Sequence, residues 1–317
     1  MEIVARVGNN EVAVVYVGEY PDGELVEFVE AVQPPRPREK KWVLMISTLY
    51  GCPVECKMCD AGGFYHGKVS KERMLAQIDY MVFRHFPDGV VPCEQFKIQF
   101  ARMGEPAFNR AVLRVIEELP GRYTAPGLMP SLSTIAPAGV DSFFNELIGI
   151  KDAHYSGGRF QFQFSLHTSD EQLRRSLVPI KTWSFDQMAA YGERYYQPGD
   201  RKITLNFALA EGNPVEADSL LRFFDPEKFL IKITPLNPTY TAQNHGLRSY
   251  IGTREEGADY EIPAMLQQAG YQVIVSIGEL EENRIGSNCG QYVLKHVQAE
   301  KKLGDGYLYR IEHELER

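Results

Sequence analysis

From Val43 to Ile277 short apolar runs alternate with stretches of helical spacing, and this rhythm narrows the possible folds more than any single residue does. Residues 43–47, 96–100, 132–135, 160–165, 202–207, 229–233 and 271–277 read as strands. Between them, helical spacing is expected from Ser70 through Met74, Ile78 and Met81, and over 110–119, 141–148, 215–224 and 262–269. One or two more helices fall within 171–196. Such alternation predicts an α/β fold with a parallel sheet, rolled into a partial (β/α)6 TIM-like barrel. Ahead of it, residues 1–32 read as three short strands, a small β appendage. Residues 33–41 form a proline-rich, charged linker, 42–280 the barrel, and 281–317 a C-terminal segment.

The first barrel strand runs into Cys52, Cys56 and Cys59, three of the chain's five cysteines within eight residues. Three thiols cannot pair among themselves, and nothing else looks secreted, which favours metal over a disulfide. Structural zinc normally takes a fourth ligand, often from a second Cys pair or a histidine pair, and none follows. Three thiolates on a short loop suit an iron–sulfur cluster with one iron left open. Composition agrees. With 317 residues, 44% hydrophobic, the chain can build one large core. It has no run of about 18 apolar residues, so no membrane span is expected. The N-terminus lacks a basic region followed by an apolar core, so no signal peptide is expected. Free thiols at an oxygen-sensitive site then point to a reducing cytoplasm. The net charge of −8 argues against a partner that is mostly phosphate backbone.

Polar residues collect where the predicted strands end: Cys52, Gly104 with Glu105, Ser133 with Thr134, Ser165 with His167, Asn206, and Asn237. In parallel α/β folds that rim is where ligands bind. Gly104 permits close backbone approach, and Glu105 beside it can hold an ammonium group. Other features read more plainly. His66 is expected on a solvated loop, Arg174, Arg175 and Lys181 as helix-surface charge, and Tyr195, Tyr196, Tyr240 and Tyr250 as packing.

The three-cysteine loop, with Gly104-Glu105-Pro106 after the second barrel strand, resembles the radical S-adenosylmethionine (SAM) enzymes. Leu132-Ser133-Thr134, Ser165-Leu166-His167, Asn237-Pro238 and Asn288-Cys289-Gly290-Gln291 follow in order. They make the chain similar to the RlmN/Cfr family, which methylates adenosine carbons in RNA. The resemblance implies a 4Fe–4S cluster on Cys52, Cys56 and Cys59. It implies SAM bound by Gly104, Glu105, Ser133, Ser165, His167 and Asn237, and an electron donor such as flavodoxin or ferredoxin. It further implies that Cys289 takes a methyl group from one SAM. A radical from a second SAM then activates that methyl to add to an sp2 carbon.

The chain also departs from that pattern. The family's second cysteine, seven residues before the first cluster cysteine, is here Met45. A thioether has no thiolate with which to release product. Cys93, before the second barrel strand, is expected at the other end of the barrel. Met58 replaces an aromatic residue, the family's Arg-Gly-Asp-Asp-type run before the catalytic cysteine is missing, and the β appendage stands where the family has a longer helical, RNA-binding region. The expectation is therefore methylation, through Cys289, of a small or otherwise non-RNA molecule. The alternatives are an RNA adenosine C-methylase, hydrogen abstraction without methyl transfer, and a non-catalytic metal protein.

Overall fold

The structure, a computed structural model, describes residues 1–251 and 261–313. Three antiparallel strands come first: β1 (Glu2–Asn9), β2 (Ala13–Glu19) and β3 (Leu25–Val32). Strand β4 (Trp42–Ile46) follows, then a small hairpin of β5 (Leu49–Tyr50) and β6 (Gly67–Lys68) that brackets the cysteine loop. The repeat then runs α1 (Lys71–His85), β7 (Phe96–Phe100), α2 (Ala111–Arg122), β8 (Leu128–Thr134), α3 (Asp141–His154) and β9 (Gln161–Ser165). It continues through α4 (Glu171–Leu177), α5 (Phe185–Tyr195), β10 (Ile203–Leu209), α6 (Ala217–Leu221) and β11 (Phe229–Pro235). The chain ends with α7 (Tyr240–Asn244), α8 (Glu261–Gln268), β12 (Val273–Val275), α9 (Leu280–Ile285), α10 (Val293–Gln298) and β13 (Glu312–His313).

Strands β4, β7, β8, β9, β10 and β11 are parallel neighbours, with short β12 as a seventh at the edge. This is the expected α/β partial barrel. Strand β4 is the pivot: it lies parallel to β7, with Trp42 opposite Phe96, and antiparallel to β3, with Met45 opposite Val29. The proline-rich stretch 33–41 therefore joins two adjacent strands of one sheet, and β3, β2 and β1 extend the barrel's own sheet.

Local chemistry sets the element boundaries. The Ser70 hydroxyl accepts from the Arg73 N–H at 3.3 Å and starts α1, whose Met74, Ile78 and Met81 are buried. Ser184 and Gln187 cap each other's backbone at the start of α5. The helix expected over 215–224 shrinks to Ala217–Leu221. The Pro214 carbonyl is taken by the Ser169 N–H and by the Thr168 and Ser169 hydroxyls, which holds the approach extended.

The main core lies between the sheet's outer face and the helices. Phe96, Ile98, Phe100, Phe162, Phe164, Leu205 and Ile231 meet Ile78, Ile116, Phe144 and Tyr191 there. Each such side chain contributes about 1.5–3 kcal/mol on burial. A second cluster forms on the inner side of the N-terminal strands, where Val7, Val15, Val29 and Met45 pack on Ile285 of α9 and Val293 of α10. Among the described residues no helix is long and apolar enough to cross a membrane.

Candidate active site

One cavity of about 1170 Å³ opens inside the sheet at the strands' C-terminal ends and runs down the barrel lumen. Cys52, Cys56, Cys59 and Cys289 all line it, as do Gly104, Glu105, Ser133, Ser165, His167 and Asn237. Every site residue expected from the sequence is thus gathered on one surface.

The cysteine loop is held from several sides. The Lys57 N–H donates to the Leu177 carbonyl (2.9 Å), and the Cys59 N–H donates to the Cys56 carbonyl (3.1 Å). Buried Asp60 accepts from the Tyr240 and Thr241 N–H groups (3.1 and 2.8 Å) and from the Thr241 hydroxyl (2.7 Å), so the loop is pinned to the start of α7. Burial pushes the three thiols up, Cys52 to about 11 and the other two further, with Cys52 raising Cys56 and both of them raising Cys59. Among the described residues no three His, Cys, Asp or Glu side chains are set to close on a single ion. The thiols stand around a cavity wall instead of meeting at one point, and the loop brings no fourth thiol. That donor set fits a cluster held by three cysteines with one position open.

Cys289 belongs to the same wall. It sits between α9 and α10, and its side chain is exposed to the cavity. Its neighbour Gly290 has φ of 86°, and a Cβ there would stand 3.2 Å from the Met58 carbonyl oxygen and 3.7 Å from the Cys59 Cα. The Gly290 carbonyl accepts from the Asp60 N–H (2.9 Å), and the Asn237 amide donates to the Cys289 carbonyl (2.9 Å). The thiol loop therefore packs directly on the cluster loop. Burial raises the Cys289 pKa, while Arg102 and Lys232 pull it down.

What fixes this loop in depth lies outside the motifs read from the sequence. The Arg102 guanidinium donates to the carbonyls of Gly286 (3.0 Å), Ser287 (3.2 Å) and Asn288 (3.1 Å), and to the Glu27 carboxylate (2.7 Å). It also lies over the Tyr292 ring, 4.8 Å from the centroid, and the Tyr292 hydroxyl donates to the Arg102 carbonyl. Glu27 and Arg102 are both buried. Glu27 also accepts from the Leu294 N–H (2.7 Å). The β appendage thus supplies the anion that anchors the clamp on the Cys289 loop. A charged residue inside the apolar run Leu25–Val29 was the available signal.

The remaining site residues are held by contacts within the protein. Gly104, φ 95°, makes its close approach to Leu49: a Cβ would fall 2.5 Å from that side chain. Both Glu105 oxygens are engaged, one by the Thr134 hydroxyl (2.5 Å) and Ala107 N–H (3.1 Å), the other by the Ile135 N–H (2.9 Å). Burial nevertheless raises its pKa to about 7. His167, φ 68°, is buried, accepts from the Ala208 N–H at Nδ1 (3.2 Å), and is lowered by burial to about 4. Ser133 accepts from the Gln163 amide (3.1 Å). Arg174 corrects the surface-charge reading. It is buried and donates to the Ile135 carbonyl (2.7 Å), the Ser165 carbonyl (3.2 Å) and the Thr182 hydroxyl (2.6 Å), tying the ends of β8 and β9 together. His66 is solvated and meets Glu24, as expected of a loop histidine. Cys93 is buried outside the cavity.

No protein-family model matches the chain. It is similar to the probable dual-specificity RNA methyltransferase RlmN of Streptomyces coelicolor, at 26% identity over 282 residues covering 85% of this chain and 70% of the relative. A protein of the same name from Thermus thermophilus is 25% identical over 268 residues, 82% of this chain and 69% of the relative. Among solved structures, a radical SAM methyltransferase from Sphaerobacter thermophilus matches with a TM-score of 0.68. It does so at 21% identity, over 92% of this chain and 80% of that one, a likeness of fold. Taken with the cysteine loop and the Gly104-Glu105 motif, these likenesses make the chain similar to the RlmN-type RNA methyltransferases in sequence and to a radical SAM methyltransferase in fold.

Proposed function

We propose that this enzyme loads a methyl group onto Cys289 and delivers it to an sp2 carbon of a small, non-RNA substrate. The observation that carries the reading is the packing of Gly290 against Cys59, which puts the Cys289 thiol in the cavity that the three cluster cysteines line. Cys52, Cys56 and Cys59 would hold the 4Fe–4S cluster, and with SAM the bound group supplies one-electron chemistry and the methyl group. The protein's own work is to hold Cys289. Arg102 grips the three carbonyls before it, Asn237 grips its own, and Gly290 and Asp60 set its distance from the cluster loop. The charges of Arg102 and Lys232 favour the thiolate that must accept a methyl.

The substrate reading rests on charge and enclosure. The chain carries a net −8, and the space beneath Cys289 is a lumen walled by strands. Met45 lines that lumen and packs against Ile285 and Val293 on either side of the Cys289 loop. The thioether occupies the ground where a second thiol would free the product, so release takes an external thiol. Met45 also favours a second reading, hydrogen abstraction with no methyl carrier. A cytoplasmic donor of the flavodoxin or ferredoxin type would deliver the electron.

Methyl-labelled SAM, given to anaerobically reconstituted protein with separate RNA and small-molecule fractions, tests the reading. Label in a small molecule, with both S-adenosylhomocysteine and 5′-deoxyadenosine formed, is expected. Label in RNA would instead mark an RNA methylase, and 5′-deoxyadenosine alone would mark direct hydrogen abstraction. Cys56→Ala is expected to lose bound iron and both products.

A further inference from the structure

We propose that the lumen beneath Cys289 is an anion site, in which Lys97 and Lys232 hold a carboxylate or phosphate group of the substrate while its unsaturated carbon lies toward the thiol. This rests on the small-molecule reading above and names the substrate's chemical class.

Lys97 lies on β7, in register with Val43 of β4 and Met129 of β8. It is only 8% exposed, and that exposure is to the cavity it lines. Its ammonium has no hydrogen-bond or ion-pair partner among the described residues. The charges that act on it are cations, Lys232 foremost and then Lys41 and Arg201. Lys232 lies on β11, opposite Asn206 of β10, and also lines the cavity without an ion pair among the described residues. It is near enough to Cys289 for each to act electrostatically on the other. The lysines thus lead down the lumen from the thiol.

The carboxylates nearby do not neutralise them. Glu105 is occupied by three donors within the protein. Glu282 accepts from the Glu279 N–H (3.1 Å) at the start of α9 and is felt through space by Lys232 and Lys41, but not by Lys97, and neither it nor Glu279 forms an ion pair with a lysine among the described residues. Of the other cations lining the cavity, Arg102 is matched by Glu27, and Lys41 donates to the Gln33 amide oxygen (2.7 Å) at the mouth formed by the 33–41 stretch, where Arg36 also stands. Gln99 and Gln161 add side-chain amides to the same wall.

A buried cation without a partner is costly, and hydrocarbon at these positions would be more stable. Buried Lys97, with half-buried Lys232 facing the same cavity, is accounted for by a ligand that brings the negative charge. The cavity's volume of about 1170 Å³ exceeds the roughly 300–1,000 Å³ of a site for one small ligand, which leaves space beyond SAM. Burial lowers both lysine pKa values, so an entering anion would also draw protons onto them.

The test is thermal unfolding of wild type and the Lys97→Met/Lys232→Met protein with benzoate, inorganic phosphate or neutral benzamide, against chloride at equal ionic strength. Benzoate or phosphate is expected to raise the wild-type melting temperature beyond chloride and benzamide, and the double variant to lose that rise. The double variant should itself melt no lower than wild type, since two uncompensated charges have gone. If it lacks a cooperative transition, the single Lys97→Gln and Lys232→Gln proteins carry the same comparison. Equal responses to benzoate and benzamide, or an unchanged anion response in the variants, would overturn the proposal. Methyl label passing into RNA while the anion response persists would sink the small-molecule reading and leave the anion site standing.

Discussion

The two faces of the parallel sheet are written by one alternation and do opposite things. On β7, Phe96, Ile98 and Phe100 point outward into the helix-covered core, while Lys97 and Gln99 point into the lumen. On β9, Phe162 and Phe164 face the helices, and Gln161, Gln163 and Ser165 face the cavity. The outer face holds hydrocarbon in close packing and supplies stability. The inner face holds amides, hydroxyls and charges, among them an Asn206 Oδ1 without a partner among the described residues, and supplies a site. A period of two in the sequence therefore separates stability from function strand by strand.

The largest effect expected in breaking this contrast comes from the buried Arg102–Glu27 ion pair. Arg102→Met strands the buried Glu27 carboxylate and should destabilise by about 3–5 kcal/mol. Replacing both partners, as Glu27→Leu/Arg102→Met, should recover part of that loss, and denaturant titration reads both. On the outer face, Phe162→Ala removes a ring packed against Phe164 and Tyr191 at centroid distances of 4.9 and 5.4 Å. About 3–5 kcal/mol is expected there. The comparison fails if this ring can be truncated for less than its inner neighbours.

Buried His167 gives a pH-dependent effect. Its folded pKa of about 4 lies below the ordinary value of 6.5, so between these values the unfolded chain binds the extra proton. Its contribution is full above pH 6.5 and falls as pH drops toward 4, by about 3 kcal/mol in all. The unfolding free energy of wild type should therefore fall more steeply between pH 7 and pH 5 than that of His167→Gln. The smallest effect is expected for Gln161→Leu, a lumen substitution with no lost partner, at roughly 0.5 kcal/mol or less in either direction. A loss near that of Phe162→Ala would show the lumen to be packed core.

The strand framework and the cluster loop are legible in the residues because both follow from local pattern: alternation within five to seven residues, and three thiols within eight. The gathering of Gly104, Glu105, Ser133, Ser165, His167 and Asn237 is legible because a parallel sheet brings its strand ends to one rim. What escapes local reading are partnerships across the chain. Glu27 and Arg102 are 75 residues apart, and Arg102 and Ser287 are 185 apart. Arg174 sits on a helix of charged appearance, and only the third dimension shows its guanidinium turned inward. Lys97 and Lys232 lie in strands whose alternation marks an inner face, but pattern alone does not tell a wet lumen from solvent.

The central claim is that Cys289 is a methyl carrier seated against the cluster loop. Mass spectrometry of the Cys289 peptide, after reduced and reconstituted protein meets SAM alone, tests it most directly. The account predicts one methyl on Cys289, with S-adenosylhomocysteine released in equal amount, and neither in Cys289→Ala. An unmodified Cys289 peptide from protein that still cleaves SAM to 5′-deoxyadenosine would contradict it.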